Sequence, residues 1–197
     1  MSILVYVDQF GGQAKLVSWE ILGKAREFGD TLGVPVVAVV VGQNVSRIAQ
    51  EAISYGADRV LVADAPAFAQ YRTGAYAAAL KAAIDAVHPR IILAPAVVGA
   101  REVAALAAAQ ARLGMAADAQ EVSLAADGKL QAERPVYSGN ILTTVTFRDA
   151  VQMATVRSRS YPMPAADAAR TGEVVPLAVD LSGPAAGEEI LEFESAG

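Results

Sequence analysis

The sequence predicts an α/β protein with a doubly wound, mostly parallel sheet that is extended by antiparallel strands. In the first half, four short β-rich runs alternate with stretches of helical periodicity, which is the order of repeated β-α units. Residues 36–41 are almost continuously aliphatic, as expected of a parallel strand covered on both faces. After Gly114, strand patterns follow one another without intervening helices, which indicates antiparallel pairing.

The β-α units of the first half follow in order. Residues 3–8 form the first predicted strand. Helix Leu16–Leu32 comes next, because apolar residues recur every three positions from Leu16 through Trp19 to Phe28, and Gly33 is placed to end it. The same criteria predict strands at residues 36–41, 58–63 and 91–94 and helices at residues 46–55, 74–87 and 101–113. Successive units of this kind imply right-handed crossovers.

The second half contains two predicted hairpins. Asp127-Gly128 is a turn signal between strands at residues 121–125 and 130–136. A second hairpin is predicted from strands at 141–147 and 151–156, and we expect both hairpins to extend the main sheet. A Pro/Ala-rich stretch at 158–171 predicts an irregular crossing, and two further strands are predicted at 173–180 and 189–194. We therefore expect residues 1–160 to form the α/β domain, and residues 161–197 to form an irregular crossing and terminal strands.

Composition excludes several classes of function. The chain has 16 Lys and Arg against 21 Asp and Glu, and without a basic cluster this net charge of −5 argues against nucleic-acid binding. It has no cysteine and one histidine, which rules out disulfides, thiolate metal sites and a multi-histidine site within one chain. No secretory signal is visible, and no apolar run approaches the roughly 20 residues of a membrane span. A cytoplasmic or, in a eukaryote, mitochondrial-matrix location is expected.

Residues 93–110 have the strand-loop-helix layout of an anion-binding site, in which backbone N–H groups and the helix dipole hold a phosphate. The specific fingerprints are missing, because neither GxGxxG nor GxxxxGK[ST] occurs in the chain. Gly99 is the only glycine in the loop. We therefore predict that residues 95–100 form a corner between a strand and its helix.

His88 follows Asp85 by three residues, and with a serine a hydrolytic triad can be imagined. The pair His88-Pro89 at the end of a predicted helix favours another role, in which the histidine caps the helix C-terminus. Two pairs of acidic residues fall in polar connections, where we expect water to solvate them: Asp118 with Glu121, and Glu188 with Glu189.

Two stretches of the second half carry candidate binding residues. In residues 134–140, Arg134 and Tyr137 could contact a ligand or a partner, and a β-bulge or strand corner is the alternative. In residues 155–161, Arg157 and Arg159 project from one side of a strand end. They could meet carboxylates or a phosphate, or simply face water. The residues by themselves predict no catalytic, cofactor-binding or metal-binding constellation.

Several stretches taken together resemble one family. They are, in chain order, residues 3–8, 56–62, 92–95 leading into 101–104, 134–140 and 154–157. They look like the N-terminal domain of the electron transfer flavoprotein alpha subunit, over roughly residues 1–194. Residues 134–140 followed by Thr155-Val-Arg157 are the most specific part. The early β-α units alone are also similar to the wider adenine nucleotide alpha hydrolase-like superfamily, which includes universal stress proteins.

The resemblance implies an electron carrier rather than an enzyme. In that family, an alpha and a beta subunit form a heterodimer that carries FAD. It takes electrons from acyl-CoA or other dehydrogenases, as in fatty acid beta-oxidation, and passes them to a quinone oxidoreductase or another acceptor. Most FAD contacts come from the alpha subunit's second domain, so this chain alone is expected to hold no cofactor. The resemblance makes Arg134, Tyr137, Asn140 and Arg157 candidates for facing the beta subunit or that second domain.

The sequence departs from the family pattern in two places. No stretch resembles the glycine-rich FAD-binding domain. The resemblance therefore implies a fragment, an excised domain or a proteolysed subunit, whose residues 161–197 include the start of the family's interdomain linker. Where the family often has Gly-Arg-Glu-Leu-Ala-Pro-Arg, this chain has Ala100-Arg-Glu-Val-Ala-Ala-Leu106, without the Gly, the Pro and the second Arg. The alternative function is a stand-alone nucleotide-binding module similar to a universal stress protein. It would need a glycine-rich phosphate loop near the end of the fourth strand.

Overall fold

The computed structural model of the chain describes residues 1–182 and 187–192. The helices within these residues are α1 (Leu16–Leu32), α2 (Ser46–Ser54), α3 (Thr73–Val87) and α4 (Val98–Ala111), with a short 3₁₀ helix at Pro66–Phe68. The strands are β1 (Ile3–Val7), β2 (Gln9–Phe10), β3 (Gln13–Ala14), β4 (Val36–Gly42), β5 (Arg59–Asp64), β6 (Ile91–Pro95), β7 (Met115–Ala119), β8 (Glu121–Leu124), β9 (Leu130–Val136), β10 (Ile141–Thr146), β11 (Gln152–Val156) and β12 (Glu173–Pro176).

Seven strands form one sheet in the order β12-β5-β4-β1-β6-β11-β7, and each neighbouring pair is parallel. The strand order reverses at β1, because β4 and β5 extend the sheet on one side of it and β6 and β11 on the other. The predicted α/β class with a doubly wound parallel sheet is confirmed. In such sheets, ligands bind outside the carboxyl ends of the strands at the point of reversal.

A hydrophobic layer covers each face of the sheet. All of β4 is buried, because its alternate residues enter opposite layers. Val36, Ala38 and Val40 pack in the layer formed with α1 and α2, whereas Val37 and Val39 pack in the layer formed with α3 and α4. Each fully buried valine of this kind contributes about 1.5–3 kcal/mol relative to an exposed one. Burial on both faces explains why the strand reads as an unbroken aliphatic run.

The first predicted hairpin is confirmed as β8 and β9, but the second is wrong. β10 pairs with β9 across a turn at residues 137–140, and β8, β9 and β10 form a separate antiparallel sheet instead of extending the main one. β11 lies inside the main sheet with all five of its residues buried. Continuous burial places a strand inside a parallel sheet, whereas the mostly exposed residues of β10 suit an antiparallel edge.

The remaining differences lie at the ends of elements and in short elements that the sequence did not predict. α4 begins at Val98 instead of residue 101, which places Gly99 in its first turn. The alanine-rich strand β7 has no β-pattern in the sequence and was not predicted. The strand predicted at 173–180 is confined to β12. Residues 189–192 form no strand, and 193–194 lie outside the described residues. Residues 158–171 are irregular as predicted, and the domain division at residue 160 stays a prediction.

Candidate functional site

The three-stranded sheet of β8, β9 and β10 carries most of the candidate residues. The turn from β9 to β10 places three successive residues in the left-handed region, with φ of 50° at Tyr137, 56° at Ser138 and 90° at Gly139. This turn leaves the Tyr137 side chain 77% exposed. Asn140 lies in the same turn, where its N–H donates to the Tyr137 carbonyl at 3.2 Å.

No strand of the described part of the chain pairs with the outer edge of β10, which is therefore open. Ala125 N–H donates to Lys129 O at 2.8 Å, so odd-numbered residues of β9 direct their backbone groups towards β8 and even-numbered residues towards β10. With Thr143 opposite Arg134, the odd residues of β10 face β9. The backbone N–H and C=O groups of Leu142, Thr144 and Thr146 therefore point away from the sheet.

A cleft of about 560 Å³ lies beside this sheet. Three of the four predicted interface residues, Arg134, Tyr137 and Arg157, line it together with Gln120 and Leu142, among others. Asn140 is not among the lining residues. A second cleft of about 580 Å³ shares Gln120, Leu142 and Arg157 with the first and continues to Arg159 and Tyr161. The structure thus joins the two stretches that the sequence proposed separately.

Arg157 is held by a carboxylate that the sequence did not single out. Its Nε lies 2.9 Å from Asp118 Oδ1 and one terminal nitrogen lies 2.8 Å from Asp118 Oδ2, a two-pronged pair. The hydrogen bonds from Arg157 hold the pKa of the Asp118 carboxyl below its ordinary value. Asp118 also donates its backbone N–H to Thr155 Oγ1 at 2.9 Å and has a φ of 64°. The expectation that water solvates Asp118 is wrong, because β7 brings this residue to the end of β11.

Arg134 differs from Arg157, because its Nε is buried and has no hydrogen-bond partner among the described residues. A buried donor without an acceptor costs about 1–3 kcal/mol. An incoming carboxylate or carbonyl would remove that cost. The side chain also lies near enough to Asp118 to help lower the pKa of that carboxyl.

A different cleft, also about 560 Å³, lies at the carboxyl ends of the strands where the sheet order reverses. We call it the switch-point cleft. Its apolar wall includes Phe10, which is 67% exposed, and Val98, which is 70% exposed, and its floor includes Tyr76. Burial raises the pKa of Tyr76 to about 12, and its hydroxyl donates to Phe68 O at 2.8 Å.

Carboxylates occupy the polar part of the switch-point cleft. Asp8 is buried and pairs with Lys15, whose Nζ lies 2.7 Å from Oδ2. Glu102 accepts from the Tyr71 hydroxyl at 3.2 Å. The same hydroxyl donates to Gly99 O at 3.1 Å, and a Cβ on Gly99 would meet the Tyr71 ring at 3.4 Å. Two carboxylates and a covering tyrosine make this a poor site for a phosphate, which agrees with the predicted corner at residues 95–100.

The imagined triad at His88 has no geometric basis. His88 has a φ of 46° and ends α3, with its N–H donating to Ile84 O at 3.0 Å, so its role at the helix C-terminus is confirmed. Asp85 pairs with Lys81 instead. Within residues 1–182 and 187–192, no group of three or more His, Asp or Glu could hold a metal ion. In the same residues, no helix combines the length and apolar composition that crossing a bilayer requires.

Comparison with known proteins places this geometry in a family. The profile of the electron transfer flavoprotein domain matches residues 3–182. Protein FixB of Azorhizobium caulinodans is 37% identical over 177 residues, covering 88% of this chain and 48% of FixB. The electron transfer flavoprotein subunit alpha of Thermoanaerobacterium thermosaccharolyticum is 34% identical over 181 residues, covering 91% of this chain and 55% of that subunit.

A third relative is named as a subunit of a dehydrogenase. Lactate dehydrogenase (NAD(+),ferredoxin) subunit LctC of Acetobacterium woodii is 36% identical over 163 residues, covering 82% of this chain and 39% of LctC. The chain thus spans about half the length of the curated relatives it matches, or less. The relative from Thermoanaerobacterium thermosaccharolyticum is by its name an electron-transfer subunit, whereas LctC is named as a subunit of a dehydrogenase. The match over residues 3–182 shows that the chain belongs to the electron transfer flavoprotein domain family.

Proposed function

We propose that this chain is part of an alpha-type electron transfer flavoprotein subunit and supports an FAD-carrying heterodimer with a beta subunit. The heterodimer would take electrons from a dehydrogenase, such as an acyl-CoA dehydrogenase of fatty acid beta-oxidation, and pass them to a quinone oxidoreductase or another acceptor. It would work in the cytoplasm or the mitochondrial matrix. The observation that carries the proposal is the open edge of β10 beside Arg134 and Arg157, in a chain of this family.

The edge of β10 differs from the two edges of the main sheet. β12 is four residues long and ends at Pro176, which lacks a backbone donor. β7 has a shifted register against β11 beside Ala119. Both features discourage a further strand. β10 contains no proline and has no shift of register against β9, and its sequence Ile-Leu-Thr-Thr-Val-Thr is uncharged. Leu142 on this strand is 60% exposed. Natural sheets rarely leave such an edge bare, which supports a partner there.

The side chains around this edge favour a partner with carboxylates or carbonyls. Arg134 offers a buried donor without an acceptor, and Arg157 presents a guanidinium that one carboxylate already orients. Tyr137 adds a large exposed ring, a residue type enriched in protein interfaces. Arg134, Tyr137, Asn140 and Arg157 are therefore proposed to face the beta subunit or a neighbouring domain of the alpha subunit.

The switch-point cleft does not fit FAD. A flavin dinucleotide brings a pyrophosphate, which needs backbone N–H groups or cations close by. The switch-point cleft has the Asp8 and Glu102 carboxylates there, with Tyr71 packed over Gly99. No electron-transfer step is therefore assigned to these residues. The purified chain is expected to be colourless, and a flavin absorbance spectrum that survives gel filtration would contradict this part of the proposal.

The partner contact is tested by titrating the chain with an electron transfer flavoprotein beta subunit of the same organism. Arg134→Ala and Arg157→Ala should each weaken binding about tenfold or more while the melting temperature stays within a few degrees, because both side chains lie beside the cleft and not in the core. Arg47→Ala is the matched control, since Arg47 is an exposed arginine on α2 over the other half of the sheet. Unchanged affinity in both cleft variants would refute the interface.

The nucleotide-binding alternative makes an opposite prediction. A stand-alone module similar to a universal stress protein should bind ATP or AMP with micromolar affinity in calorimetry. The carboxylates of the switch-point cleft predict no such binding, because they repel phosphates. A micromolar dissociation constant for either nucleotide would favour the alternative.

A further inference from the structure

The first turn of α3 lacks a cap from its own sequence. The residue that precedes the helix is Arg72, whose side chain makes no capping hydrogen bond and carries the wrong charge for a helix N-terminus. The carboxylate of Glu188 fills this role from 114 residues away. Both of its oxygens lie 3.2 Å from the Gly74 nitrogen. A carboxylate at this position satisfies an unpaired backbone donor and interacts favourably with the helix dipole.

A second contact fixes the same segment. Arg72 donates one terminal nitrogen to the Glu188 carbonyl at 3.0 Å and the other to the Ala67 carbonyl at 2.9 Å. The guanidinium therefore ties the 3₁₀ helix, the start of α3 and residues 187–192 together. The helix cap uses the side chain of Glu188, and the clamp by Arg72 uses the backbone carbonyl of the same residue.

The clamped segment borders the switch-point cleft. Ile190, two residues beyond Glu188, lines this cleft together with Phe10, Tyr71 and Val98. It also lines a smaller cleft of about 320 Å³ next to Arg72 and Glu188. Glu188 thus controls where one apolar side chain of the wall lies.

We propose that Glu188 is a latch that holds residues 187–192 as a strap along the rim of the switch-point cleft. With the latch engaged, Ile190 forms part of the apolar wall and the first turn of α3 is capped. Release of Glu188 uncaps α3 and frees the strap together, because the same carboxylate does both. The latch is independent of the proposed partner contact, which lies at the three-stranded sheet.

Hydrogen exchange at the first turn of α3, measured by mass spectrometry, and thermolysin cleavage before Ile190 and Leu191 of the strap, both on the intact chain, test the latch. Glu188→Ala should accelerate both about fivefold, the factor that corresponds to roughly 1 kcal/mol of a lost helix cap. Glu188→Gln keeps an oxygen acceptor but loses the charge. Its rates should therefore fall between those of Glu188→Ala and those of the parent chain. Glu189→Ala is the matched control, because the neighbouring carboxylate makes no contact with Gly74 among the described residues.

Arg72→Gln loosens the strap by a second route. It removes the clamp on the Glu188 carbonyl and should accelerate thermolysin cleavage in the strap while the melting temperature stays within a few degrees. Faster exchange at α3 without any change in the strap would overturn the latch, since it would show a local cap only. Unchanged exchange at α3 and unchanged cleavage of the strap in Glu188→Ala, or equal acceleration in Glu189→Ala, would overturn it as well.

Discussion

The switch-point cleft and the cleft at the three-stranded sheet have similar volumes but differ in charge. The switch-point cleft lies where doubly wound sheets usually bind ligands. Its charged groups are Asp8, Lys15 and Glu102, of which Asp8 pairs with Lys15 and Glu102 accepts from the Tyr71 hydroxyl. The cleft at the three-stranded sheet has arginines, an open strand edge and a buried donor without an acceptor. Unmet binding capacity, more than position in the fold, therefore distinguishes the candidate interface.

The largest expected effect tests the open edge directly. Thr144→Pro removes an N–H that points away from the sheet, so the fold should tolerate it, as edge strands tolerate proline. Affinity for the beta subunit should fall more than tenfold if the partner pairs with this edge. Isothermal calorimetry measures the affinity, and circular dichroism monitors the fold.

Two matched variants sharpen this test. Thr144→Ala keeps the backbone N–H and should retain most of the affinity. Thr143→Pro removes an N–H that faces β9 and should destabilise the small sheet itself. Equal binding by Thr144→Pro and the parent chain would show that the partner does not add a strand there.

A smaller effect is expected at the switch-point cleft under alkaline conditions. The folded state raises the pKa of Tyr76 to about 12, mainly through burial, against about 10 in an unfolded chain. The unfolded state therefore loses its proton first. The contribution of Tyr76 to stability is fully present below pH 10 and is lost as the pH rises towards 12.

Urea unfolding at a series of pH values checks this expectation. Tyr76→Phe should cost about 1 kcal/mol at pH 7 because the hydrogen bond to Phe68 O is lost. Between about pH 10 and pH 12 its stability should fall less steeply than that of the parent chain. Parallel pH profiles for the two proteins would show that burial does not hold this phenol neutral.

The smallest effect concerns the pair of Arg157 and Asp118. Because Arg157 lowers the pKa of Asp118 in the folded state, the pair stabilises above the unfolded value near 3.9 and loses its effect as the pH falls through the folded value. Both side chains are partly exposed, so the contribution at pH 7 is about 0–1 kcal/mol. That corresponds to a shift of less than about 4 °C in melting temperature.

Comparison of Asp118→Asn with Arg157→Ala separates the effect of the ion pair on stability from the effect of Arg157 on beta-subunit binding. Asp118→Asn should lower the melting temperature at pH 7 as much as Arg157→Ala does, and both differences from the parent chain should shrink towards pH 3. Only Arg157→Ala should also lose most of the beta-subunit affinity if Arg157 itself contacts the partner. Equal loss of affinity in the two variants would mean that the pair, and not the arginine, forms the contact.

The sequence predicted the β-α half of the fold because local patterns decide it. The unbroken aliphatic run of β4 requires cover on both faces, and the apolar spacing of α1 gives its bounds without error. The second half was less predictable. β7 is rich in alanine and has no alternation, and β10 and β11 flank a short polar link that looks like a hairpin turn. Which strand each of them pairs with depends on burial that arises only in the folded chain.

The sequence by itself determined the α/β class, the exclusion of cysteine and multi-histidine chemistry, and the stretches containing Arg134 and Arg157. Composition and local periodicity carry that information. Only the tertiary structure decided that these arginines share a cleft, that Asp118 orients one of them, and that Glu188 caps a helix 114 residues earlier. Such contacts join residues far apart in the chain, and no local pattern specifies which distant carboxylate a buried donor will meet.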